Sequence, residues 1–249
     1  MNHKLLVLIT VVALFFGCSP NNVKIDAAIS KLLDSAGVQG SFALLENGSG
    51  QFTIANLSRY KDSAYTPLNT FFIVPSLMAL DNGMISQNPS TWVSTDSVDF
   101  YQQLISKLGR AKMIKTIDTL HYGKGIVSNQ LNDFWRDQSL RITADEQLGL
   151  IKKMFFKELP FQKRSQEMFK KMISKEDNSN YHLSYIEAAD SLSQIAWVIG
   201  FVEENKHIYF FVLNTTASKQ GSAPNGAVQS AVPLLKIILL QQGFLKGLR

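Results

Sequence analysis

Two apolar runs near the C-terminal end, IAWVIGFVEENKHIYFFVLNT (195–215), restrict the fold more than any other stretch. Both are rich in β-branched and aromatic residues, and they flank a polar turn at 203–207, so they read as two strong adjacent strands. A second β-prone pair, GSFALLENGSGQFTIANL (40–57), lies near the other end and folds back at Asn47-Gly48, a dipeptide suited to hairpin turns. Between them the apolar spacing is helical. Residues 26–37 form a helix that stops at glycine, and an apolar helix lies within 66–85. Two helical patterns in 97–120 part at Gly109. A helix over 142–156 opens on Thr143 with Glu146 three residues on, a capping box. Further helices cover 161–174 and the closing apolar segment, despite Pro233. Residues 58–69 read as loop. Strands at both ends and helices between predict an α/β (α+β) fold. Its core is a central antiparallel sheet built from both chain ends and flanked by helices, with an all-α subdomain.

The first residues carry a different message. Lys4 precedes the apolar run LLVLITVVALFF (5–16), and GCSP follows. That is a secretory signal, too short for a comfortable membrane span. Cys18, the single cysteine, sits directly after LFFG, as in the lipobox of bacterial lipoproteins. The expected organisation is a signal peptide at 1–17, a lipidated Cys18, a tether at 18–24 and one domain at 25–249. This places the chain at the cell envelope, on the periplasmic or extracytoplasmic face, held to the membrane through its lipid. No disulfide can form within the chain. The net charge of +5 is spread over scattered lysines and arginines, without the basic patch and stacking aromatics of a nucleic-acid surface. The histidines show no metal-ligand spacing, no phosphate-binding glycine loop is present, and no cofactor is expected.

Several stretches taken together resemble the class D (OXA-type) serine β-lactamases, within the penicillin-binding, serine-transpeptidase-like superfamily. They are YTPLNTFFIVPSLMALDNGMI, SVDFYQQLISKLG, LNDFWRDQSLRITADEQLGLIKKMFFKELPF and WVIGFVEENKHIYFFVLN. The resemblance spans about residues 40–245 in order, and its most specific part is the block from FW to ELPF.

The same resemblance exposes what is missing. The family's Pro-x-Ser-Thr-Phe-Lys supplies a serine nucleophile and a lysine base acting as its carbamate. Here that frame reads Pro67-Leu68-Asn69-Thr70-Phe71-Phe72. Asn69 stands at the nucleophile and Phe72 at the base, so both halves of an activated nucleophile are gone. Ser97, at the family's Ser-x-Val, is kept, although a helix-capping role accounts for it equally well. Lys124 replaces the asparagine of Tyr-Gly-Asn. Trp135 matches the tryptophan that packs on the modified lysine, and an aromatic contact with Phe72 is expected. The family's Lys-Thr-Gly, counted back from Trp197, becomes Ile186-Glu187-Ala188. No lysine or arginine occurs in 181–196, and no arginine between Arg164 and Arg249. A β-lactam carboxylate is therefore expected to bind weakly. Thr70 points about 100° away from the nucleophile position, Ser76 is expected near the core, and Ser58-x-x-Lys61 falls upstream.

The reading that follows is a class D β-lactamase-like envelope lipoprotein without nucleophile or base, a non-catalytic module for a cell-wall or envelope protein partner. Two alternatives stand beside it. One is an active β-lactamase or a penicillin-binding protein with a nucleophile elsewhere. The other is different hydrolytic chemistry drawing on Glu187, Asp190 and Ser97.

Overall fold

The computed structural model describes residues 22–85, 98–125, 133–217 and 231–248. The chain opens on β1 (Val23–Ile25) and α1 (Ala27–Ser35), then the hairpin β2 (Val38–Glu46) and β3 (Phe52–Ala55). A short helix α2 (Leu57–Asp62) and β4 (Ala64–Tyr65) lead into a 3₁₀ turn at Leu68–Phe72 and α3 (Ile73–Asp81). The helical middle holds α4 (Val98–Leu108) and α5 (Arg110–Leu120). Next come β5 (Lys124–Gly125), β6 (Leu140–Thr143), α6 (Ala144–Phe155) and α7 (Lys163–Met172). The chain closes with β7 (Ser174–Asp177), β8 (Tyr181–Asp190), β9 (Ile195–Glu204), β10 (His207–Ala217) and α8 (Val232–Gln241).

Local chemistry sets the helix boundaries. Asp26 Oδ1 accepts from the N–H groups of Ala28 (3.0 Å) and Ile29 (3.1 Å), capping α1. The expected capping box on α6 is present. Thr143 Oγ1 accepts from Glu146 N–H at 3.1 Å, and Glu146 accepts from Thr143 N–H at 2.8 Å. Gly109, at φ +83°, separates α4 from α5. Pro233 lies in the first turn of α8, where its missing N–H costs nothing.

Seven strands form one sheet in the order β1-β3-β2-β10-β9-β8-β7. Strand β10 joins the chain ends, pairing antiparallel with β9 (Leu213 opposite Val198) and with β2 (Leu213 opposite Phe42). Among the described strands of this sheet, only the short β1 runs parallel to its neighbour, β3. The expected sheet from both chain ends is thus the one formed. One face packs on α1 and α8, burying Phe42, Val198, Phe211 and Leu213 against Ile29, Leu33, Leu235 and Ile238. The other face packs on the helical middle, burying Trp197, Phe201 and Phe210 with Leu77, Ile151 and Phe155.

The structure departs from the sequence reading in four places. Val23 and Lys24, assigned to the tether, form β1, because Val23 and Ile25 pair in register with Phe52 and Ile54. Residues 57–62 are helical rather than loop, held by the buried Tyr60. Strand β8, which precedes the two apolar runs, is assigned to no element by sequence, since its exposed and buried residues depend on pairing with β9. The small sheet β4-β6-β5 is built from segments too short to show a periodicity.

The two ends of the large sheet differ. One end carries the turns at 47–50, 178–180 and 205–206; the other carries the turn at 191–194 and the start of β2. They are termed the turn pole and the cleft pole.

Candidate functional site

The 3₁₀ turn at Leu68–Phe72 is positioned from three sides. Leu68 N–H donates to Trp135 O at 3.1 Å. The Trp197 indole N–H donates to Thr66 O at 2.9 Å, tying the preceding loop to β9 at the cleft pole. Thr70 Oγ1 donates to Pro67 O (2.5 Å) and accepts from Gln147 Nε2 (2.6 Å) on α6. Leu68 is left in the left-handed region at φ +52°, a conformation costing about 1–2 kcal/mol for a residue with a side chain. The adjoining Asn69 side chain is half-buried.

Phe72 is buried. Its ring stacks on Tyr101 of α4, with centroids 3.6 Å apart and planes at 13°. The expected contact with Trp135 exists, edge-on at 6.0 Å. Tyr101 as principal partner had no sequence signal, because α4 and the 3₁₀ turn are brought together only by packing. Phe71 also lies parallel to Trp135 at 6.0 Å and meets Phe134 and Tyr122 edge-on. Phe72 is thus held within an aromatic cluster. The buried Trp135 Nε1–H has no acceptor among the described residues, which is the state left when a polar partner is removed.

The other hydroxyls near the turn are committed. Thr70 is buried and doubly hydrogen-bonded, as above. Ser76 is buried, as expected, and shares a 2.8 Å hydrogen bond with Tyr101 OH. Upstream, Ser58 Oγ donates to Asp62 (3.3 Å) while Lys61 pairs with Asp145 (3.2 Å). These two side chains are therefore held by separate partners. Ser97 and Cys18 lie outside the described residues. Tyr122 is buried and Gly123 has φ +67°; a Cβ there would fall 2.3 Å from Arg141 O. Lys124 itself is exposed.

Strand β8 bears the segment counted back from Trp197, and Ala188 is paired with Trp197. Ala188 is buried and Ile186 half-buried on the face of the 3₁₀ turn. Strand alternation sends Glu187 to the opposite face, where its charge acts on Tyr185. A cleft chemistry using Glu187 beside Asp190 is therefore corrected: the two project from opposite faces. Asp190 is occupied as a turn cap, accepting from Ser193 N–H at 2.8 Å. Burial alone would raise its pKa, but the hydrogen bonds from Ser193 and Leu192 carry it below the usual value.

A cation that the sequence did not reveal reaches this face. Arg59 of α2 donates to Asn214 Oδ1 (2.9 Å) and Thr216 Oγ1 (3.3 Å) on β10 and lies 4.5 Å over the Tyr65 ring. Its partners are about 155 residues away along the chain, so no local pattern announces the contact. It sits two strands from β8, roughly 10 Å across the sheet.

A second constellation lies near the turn pole, beside a surface depression of about 390 Å³ between α7 and strands β7–β9. Ser184 Oγ is 3.0 Å from His182 Nε2, and His182 Nδ1 is 3.4 Å from Asp177. The order is that of a charge-relay triad, but Ser184 is 0% exposed. A hydroxyl that no substrate can touch is not a nucleophile, and these contacts join β7 to β8. Among the described residues, no group of three or more His, Cys, Asp or Glu is placed to hold a metal ion.

Burial pushes the phenols of Tyr122 and Tyr60 well above their usual 10.0, with Asp145 adding to the effect on Tyr60. The unfolded chain therefore loses these protons first. Stability is expected to be complete below pH 10 and to fall as pH climbs further, by up to about 1.4 kcal/mol per unit for each tyrosine. Urea unfolding between pH 8 and 12 measures this slope, and Tyr122→Phe is expected to flatten it.

No family model matches the chain. Known relatives do. β-Lactamase OXA-48 of Klebsiella pneumoniae is 29% identical over 202 residues, covering 71% of this chain and 75% of its own. The crystal structure of the class D β-lactamase YbXI from Nostoc superposes with a TM-score of 0.76 at 25% identity, covering 87% of this chain and 99% of that one. The C-terminal domain of the Bacillus licheniformis BlaR penicillin-receptor has the same fold, with TM-score 0.76, 24% identity, and coverage of 89% and 96%. Sequence and fold agree: the chain is similar to the class D β-lactamases in both.

Proposed function

We propose that this chain is a non-catalytic member of its group, a lipid-anchored module on the extracytoplasmic face that binds rather than hydrolyses. The observation that carries the reading is Phe72. Stacked on Tyr101 at 3.6 Å and edge-on to Trp135, it occupies the place of the base with a ring that has no proton to exchange. Asn69 beside it has no usable nucleophile, and Thr70 and Ser76 are buried and engaged. The relationship in fold to a penicillin-receptor domain supports a binding role. Without a lysine or arginine on β8, β-lactam binding is expected to be weak, and the partner is a cell-wall component or an envelope protein. Attachment is assigned to lipid on Cys18, which directly follows the apolar run at 5–16.

The test is to incubate the form starting at residue 19 with penicillins, a carbapenem and a chromogenic cephalosporin, following intact mass and hydrolysis together. The expected result is no acyl adduct and no turnover above the protein-free blank. An adduct would overturn the reading, and peptide mapping would name the nucleophile.

A further inference from the structure

We infer that the protein stands on its membrane with the turn pole of the sheet against an anionic lipid surface and the candidate site facing away from it. The inference rests on the lipidation of Cys18 proposed above. Strand β1 runs parallel to β3, with Val23 opposite Phe52 just after the 47–50 turn, and Phe52 N–H donates to Asn22 O at 2.7 Å. The chain therefore joins the sheet at the turn pole. Four residues, 19–22, separate Cys18 from β1, and at no more than about 3.6 Å each they hold this pole within roughly 20 Å of the lipid. Strand β9 spans the sheet from pole to pole with ten residues, about 33 Å. The cleft pole, with Ala188, Trp197 and the loop to Asn69, is at its far end.

The surface of the turn pole suits that neighbour. Lys24, Lys206, His207 and Lys246 are exposed there, and Leu248 is 77% exposed beside them. Two of the nearby carboxylates, Glu204 and Glu203, are engaged within the protein. Glu204 is 1% exposed and accepts from the N–H groups of Leu245 (2.9 Å) and Leu248 (2.8 Å). Glu203 pairs with Lys170, whereas Asp177 stays open to solvent, its side chain 76% exposed and 3.4 Å from His182. Glu46 is half-buried. After Glu204 the sequence contains no Asp or Glu. Clustered lysines next to an exposed leucine match the headgroup region of an anionic bilayer.

The full lipidated protein tests this in vesicles of phosphatidylethanolamine and phosphatidylglycerol. A thioether-linked Cys18 carries no free thiol, so Ser179→Cys and Leu192→Cys each provide a single labelling site. Both are exposed turn residues, one at each pole. With an environment-sensitive fluorophore and headgroup spin-labelled lipid, quenching at position 179 is expected to exceed that at 192 at least twofold. Equal or reversed quenching, with lipid on Cys18 confirmed by mass, would overturn the orientation and leave the anchoring intact. Cys18 found without lipid would remove the anchoring and this inference together.

Discussion

Phe72→Lys is expected to lower stability by about 3–5 kcal/mol at pH 7, the range for leaving an uncompensated charge in a core. The substitution loses the Tyr101 stack and places an ammonium among rings. Its nearest polar neighbours cannot help. Trp135 Nε1–H is itself a donor, and Tyr101 OH is already shared with Ser76. The amine must therefore shed its proton to remain inside. Its folded pKa lies below the unfolded value of about 10.4, so between the two the unfolded chain holds more protons and the stability of the variant rises with pH. Urea unfolding at pH 7 and pH 10 is expected to show a smaller deficit at the higher pH. The family resemblance adds a second readout. A carbamate on this lysine would offer Trp135 Nε1–H the acceptor it lacks, and added bicarbonate would then restore stability. A loss under 1 kcal/mol at pH 7 without bicarbonate would mean that the Phe72 site is far wetter than its packing indicates.

Gly200→Ala is expected to cost about 3 kcal/mol or more, the upper end for overpacking. Gly200 lies in β9 between β8 and β10, opposite Tyr185 and Phe211. A Cβ there would fall 2.1 Å from Ser184 O and 2.8 Å from Tyr185 Cα, both backbone atoms. No side-chain rotation relieves such a contact, so β8 must move away from β9. Gly48→Ala is the matched control. Its Cβ would meet nothing within 4 Å, and a change within about 0.5 kcal/mol is expected. Urea midpoints for the pair measure the difference directly. Similar midpoints would show that β8 is held more loosely than its register implies.

The candidate site was legible in sequence only where its chemistry is carried by residue type. Asn69 and Phe72 carry the proposed loss of nucleophile and base without any structure, and counting back from Trp197 reaches the residue that pairs with it, Ala188. Tyr101, Arg59 and the facing of Glu187 were not legible. Each depends on which surfaces meet. Arg59 reaches β10 across 155 residues, and a one-residue shift of register would have turned Glu187 inward.

By itself, then, the sequence determined the two terminal hairpins, the capped helices between them and the side chains, Asn69 and Phe72, that carry the proposed function. Those depend on local periodicity, turn chemistry and residue identity, which are properties of the chain before it folds. Only the tertiary structure decided what packs around Phe72, which carboxylates face the cleft, and that the chain joins the sheet at the pole opposite the site. Those outcomes follow from strand register and helix packing, where contacts between distant segments are set by the burial of whole faces.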